Sequence, residues 1–154
     1  MRPTYLGRIN GTSIVVFVIG MVSKEFVDFV LDVLSNFYRR VGDGPDFVEV
    51  YIYGSRSEKL NYLELEAREL GIVVVGDFIT LHEAWRGYPR IHVSIEDTSK
   101  ISRDELKTLL IHEATHSILH GSLQYYSISI TDDELLREVE RVKLYKAMYL
   151  ASTA

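Results

Sequence analysis

The chain has 154 residues, 47% hydrophobic and 25% charged, the length and balance of one folded domain spanning residues 1–154 with a core of its own. A formal net charge of -5, without a run of lysine or arginine able to follow a phosphate backbone, argues against nucleic acid as a direct partner. The absence of cysteine excludes disulfides, thiolate metal sites and cysteine nucleophiles, so a bound metal must be held by nitrogen and oxygen.

Ile14 to Val22 is the most apolar stretch. It is too short to cross a bilayer, and polar Asn10-Gly11-Thr12 before it does not fit a secretory signal, so it reads as a buried strand. The cytoplasm is the default compartment on this reading, with no membrane partner. Ser23 caps a helix to about Val41, in which Phe26, Val27, Val30, Val33, Leu34, Phe37 and Tyr38 recur at helical spacing before Gly42-Asp43-Gly44-Pro45. Phe47 to Tyr53 alternates tyrosine with β-branched residues and reads as a second strand.

Ser57 is the expected cap of a second helix through about Leu70, with Leu60, Leu63, Ala67 and Leu70 on one side and Gly71 at C′. Ile72 to Val75 reads as a short buried strand, and Gly76-Asp77 turns the chain into Phe78 to Leu81. In Arg90 to Ile95, Ile91, Val93 and Ile95 alternate with Arg90, His92 and Ser94, the pattern of a strand with one wet face, at or near an edge. His82 and His92 read as surface or loop residues rather than ligands, and His82-Glu83 as an uninformative half of a motif.

Ser102-Arg103-Asp104-Glu105 is a capping box that opens the next helix, and Gly121 is placed to end it. A loop over Ser122 to Ile130 leads to Thr131-Asp132-Asp133-Glu134, a second capping-box-like start for a final helix reaching about Leu150.

The helix opened by Ser102 carries His112-Glu113-Ala114-Thr115-His116, a match to H-E-x-x-H, in which two imidazoles one turn apart hold zinc and the glutamate acts as general base on water held by the metal. Leu106, Leu110, Ile111, Ala114 and Ile118 fill other directions around the same axis, which makes the helix a buried one. Two histidines and a glutamate there are costly unless something satisfies them, and a metal does so directly.

Catalytic zinc takes three protein ligands. His120 is excluded as the third, because on an unbroken helix it lies about 12 Å along the axis from His112, whereas ligand nitrogens sit about 2 Å from the ion. It is either a neighbour of the site or a residue facing the helix dipole. On the final helix Glu138 falls inside the apolar stripe of Leu135, Val139, Val142, Tyr145 and Tyr149, Glu134 lies at its margin, and Glu140 points away. Glu138 is therefore the expected third ligand and Glu134 the second choice. Tyr125, Tyr126 and His120 are unranked candidates for stabilising an oxyanion.

His112-Glu113-x-x-His116 followed by a separate helix with a glutamate resembles the gluzincin clan of zinc metallopeptidases, the short chain its minimal members, the minigluzincins. Leu110 to Gly121 is also similar to the motif of the bacterial metallopeptidases that cleave repressors. The resemblance implies an α+β fold of zincin type, with a mixed sheet of about four strands, an active-site helix and a glutamate helix. It also implies a peptide or protein substrate docked along Arg90 to Ile95 as an edge strand. Two functions follow as expectations: a zinc-dependent peptidase with His112, His116 and Glu138 as ligands and Glu113 as general base, or a catalytically latent zincin-like module with a regulatory or interaction role. Retention of Glu113 favours the first, because a purely structural site has no use for it.

Overall fold

β-Branched residues dominate Thr12–Ile19, and this run forms strand β2, paired antiparallel with β1 (Tyr5–Ile9). The computed structural model describes residues 2–9, 11–42, 44–73 and 78–122, giving backbone alone at 119–122. The remaining strands are β3 (Phe47–Tyr53), β4 (Thr80–Glu83) and β5 (Arg90–Ser94). Among the described residues these five make one mixed sheet in the order β1-β2-β3-β5-β4, with β2, β3 and β5 parallel and the outer strands antiparallel to their neighbours. The fold is α+β, with one strand more than the expected four: β1 carried no periodic signal, since its residues are mostly exposed and its order comes from the hairpin with β2.

Helix α1 (Lys24–Val41) starts where the Ser23 side chain accepts from the Phe26 N–H and stops at Gly42, whose φ of 71° is left-handed and costs glycine nothing. Its stripe of Phe26, Val30, Leu34, Phe37 and Tyr38 meets Ile14 and Val16 of β2, Val48, Val50 and Ile52 of β3, and Ile91 and Val93 of β5 in the main core. Each fully buried aliphatic or aromatic side chain there contributes about 2 kcal/mol. Helix α4 (Arg103–Ser122) joins α1 on that face through Leu106, Leu110, Ile111, Ala114 and Ile118.

Helix α2 (Arg56–Leu70) packs on the other face, where Tyr62 meets Phe17, Tyr51 and Tyr53. Its cap is Ser55, not Ser57: the Ser55 hydroxyl accepts from the Glu58 N–H at 3.1 Å and donates to the Glu58 carboxylate at 2.8 Å. Ser55-Arg56-Ser57-Glu58 is itself a capping box, the signal that separates the two serines. A one-turn helix, α3 (Ile95–Thr98), capped by Ser94, follows β5 directly.

Three further expectations change. The strand read from Arg90 to Ile95 ends at Ser94 and is buried at every position, so it has no wet face; it lies between β3 and β4, near the edge of the described sheet as expected but not at it. Its polar residues are buried because partners from other elements satisfy them, as the site below shows. Ile72 and Val73 are in no strand, and Val73 is exposed, while Val74 and Val75 lie outside the described residues. Gly121 does not end α4, which continues through Ser122. The final helix, with Glu134, Glu138 and Glu140, and the loop with Tyr125 and Tyr126 lie outside the described residues, as does the side chain of His120. No helix among the described residues is long and apolar enough to cross a membrane.

Candidate metal centre

Ser102 and Glu105 close the expected capping box, the hydroxyl accepting the Glu105 N–H at 3.1 Å, which fixes where α4 begins and so which residues share its faces. Rotation about the axis is set from the core side. The Tyr38 hydroxyl of α1 lies 2.7 Å from Ser117 Oγ, which donates to the Ala114 carbonyl at 2.6 Å, leaving Tyr38 as the donor of the longer bond. Burial raises the Tyr38 pKa, against the opposing pull of the Ser117 hydrogen bond, so the phenol stays neutral. With Ser117 and Ala114 turned to α1 and the sheet, Glu113 and His116 turn toward β4.

There the three motif side chains converge. His112 Nε2 and His116 Nε2 are 2.9 Å apart, and one ligand atom from each of His112, Glu113 and His116 lies within 4.8 Å of the others. Zinc–imidazole bonds are about 2.0–2.1 Å, so a gap of 2.9 Å lets both nitrogens reach one ion. Two facing imidazole nitrogens share at most one proton when both rings are neutral, whereas a cation between them engages both lone pairs. Two imidazole nitrogens so placed are donors that fit zinc, and the Glu113 carboxylate beside them is placed to act as a base.

β4 supplies what the sequence did not reveal. Alternation sends Thr80 and His82 toward α4 and Leu81 and Glu83 to the opposite face. Thr80 Oγ1 donates to Glu113 Oε2 at 2.6 Å, with both residues buried. The His82 ring stacks on His116, centroids 5.7 Å apart and planes 17° from parallel. His82 is thus a neighbour of the motif and not a loop residue. Its signal was the strand pattern of residues 80–83 itself, hidden by placing the strand two residues early.

No family model, curated protein or solved structure matches this chain.

The opposite face of β4 is tied down by charge. Glu83 Oε2 accepts from Arg90 Nε and engages His92 Nε2, each at 2.6 Å, and the Tyr53 hydroxyl sits 2.9 Å from His92 Nδ1. Burial alone would raise the Glu83 pKa, but His92 and Arg90 together outweigh it and hold the carboxylate below its usual range. His92, wholly buried, is shifted down by desolvation against the pull of Glu83. It is a core histidine, which corrects the surface reading.

At the other end of β4, Lys59 Nζ donates to the carbonyls of Phe78 at 2.9 Å and Ile79 at 3.4 Å and forms a buried ion pair with Asp97. Asp97 also accepts from Ser94 Oγ at 2.8 Å and Arg56 at 3.2 Å. Burial works to raise the Asp97 pKa, and Lys59 and Ser94 override it and lower it. The short strand that faces the motif, outermost in the sheet of the described residues, is therefore fastened at entry by Lys59 and at exit by Glu83.

Proposed function

We propose that this chain is a zinc-dependent metallopeptidase of zincin type, hydrolysing peptide bonds with Glu113 as general base. The observation that carries the reading is the convergence of the His112, Glu113 and His116 ligand atoms within 4.8 Å on a buried helix. His112 and His116 would hold the ion, with Glu138 from the C-terminal stretch as third ligand and Glu134 as the second choice. Bound zinc would supply Lewis-acid polarisation of the scissile carbonyl and a lowered pKa for water. The chain's own part is to place a base beside that water: Glu113 takes its proton and delivers it to the departing amine.

Substrate orientation follows from the sheet. β4 is the outer strand beside α4, with no strand of the described residues on its far side, so an extended peptide adding to it would pass the motif helix. This moves the docking edge from Arg90–Ile95, which is interior, to Thr80–Glu83.

Elemental analysis of wild-type and Glu138→Ala protein tests the ligand set, with one zinc per chain expected in the first and little in the second. Glu113→Gln should keep its zinc and lose hydrolysis of a peptide library by roughly a hundredfold or more. Wild-type protein that takes up no zinc on reconstitution, or equal turnover in Glu113→Gln, would refute the proposal.

A further inference from the structure

We infer that Thr80 is a positioning residue for Glu113, a role that rests on the peptidase reading above and extends the machinery onto the edge strand. The Thr80 hydroxyl and the Glu113 carboxylate come from elements far apart in the chain and meet at 2.6 Å, with both residues buried. A charge-assisted O–H···O bond of this length is among the stronger neutral-to-ion contacts. It engages Oε2. A carboxylate tethered in this way loses its freedom to turn about the Cγ–Cδ bond. The base is thereby oriented before a substrate arrives, where an untethered glutamate would spread over several rotamers.

The tether works only if Thr80 itself is fixed, and the structure fixes it from both sides. Lys59 holds the carbonyls of Phe78 and Ile79, the two residues before Thr80. Glu83, on the opposite face, binds Arg90 and His92 of the neighbouring strand. A one-residue slip would turn Thr80 away from α4, and these bonds oppose such a slip. The same short strand thus presents its outer edge to a peptide and an inner hydroxyl to the base.

Thr80→Val keeps the shape and removes the donor, and Thr80→Ser restores it. With zinc content and KM unchanged, kcat should fall on the order of tenfold to a hundredfold in the valine variant and recover to within about threefold in the serine variant. A melting cycle on metal-free protein reads the contact without activity: Thr80→Val should lower Tm in the Glu113 background and leave it unaltered in Glu113→Ala. Wild-type kcat in Thr80→Val, no recovery with serine, or equal Tm losses in both backgrounds would overturn the assignment. Wild-type protein without zinc or hydrolysis would instead overturn the peptidase reading, and the melting cycle would still decide whether Thr80 anchors Glu113.

Discussion

Lys59 is 1% exposed, an unusual place for an ammonium group. Its burial is tolerated because the Phe78 and Ile79 carbonyls and the Asp97 carboxylate accept from it and the Phe78 ring face lies 4.6 Å away. Replacing it by methionine fills the same volume but strands a buried carboxylate and two carbonyls, and breaking a buried pair from one side costs about 3–5 kcal/mol. Arg56 still reaches Asp97 at 3.2 Å and softens the loss. Lys59→Met should therefore lose about 3 kcal/mol in urea unfolding, the lower end of that range. A loss below about 1 kcal/mol would show that the pair and the carbonyl contacts contribute little beyond the aliphatic stem.

Element boundaries follow local chemistry, and α2 offers a direct comparison of two serines. The Ser55 hydroxyl satisfies the Glu58 N–H, whereas Ser57 lies inside the first turn. Ser55→Ala should cost about 1 kcal/mol and Ser57→Ala nearly nothing, measured by thermal melts; the reverse order would return the cap to Ser57. The same locality decides what could be read from sequence. Ser23 and Gly42 bracket α1 as expected, and Ser102 with Glu105 opens α4, since each signal lies within a few residues of the group it satisfies. The His112, Glu113 and His116 cluster was equally legible, its spacing being that of one helical turn. Arg90 and His92 were misread as solvent-facing because Glu83, their partner, belongs to a strand whose antiparallel register no local pattern reveals. Thr80 was missed for the same reason: its role exists only once β4 lies beside α4.

At the scale of the molecule, three buried groups give stability the same dependence on acid. Glu83, His92 and Asp97 all have folded-state pKa values below their ordinary ones. Each therefore binds fewer protons folded than unfolded within its window, so stability rises with pH there and is lost as pH falls. His92 acts first, below the ordinary imidazole value of about 6.5, and the two carboxylates act below about 4. Tyr38, Tyr51 and Tyr53 have the opposite sign: burial raises their pKa values, so what they contribute is complete below about 10 and lost as pH climbs through the folded values. Between these limits stability forms a plateau. The urea midpoint should start to fall as pH drops below about 6.5, well before carboxylates of ordinary pKa protonate. His92→Gln should flatten that first decline and leave the steeper loss near pH 4 in place. A variant with an unchanged slope between about pH 6.5 and 5 would remove His92 as its source. Because the folded ring stays neutral at the onset of this decline, its bond to Glu83 persists, and the loss comes from protonation of the imidazole in the unfolded chain. Amides of β4 that exchange only through global unfolding should therefore lose protection between pH 7 and 5.5 in wild type, after correction for intrinsic rates, and lose less in His92→Gln, the measurement that ties the acid response to this imidazole.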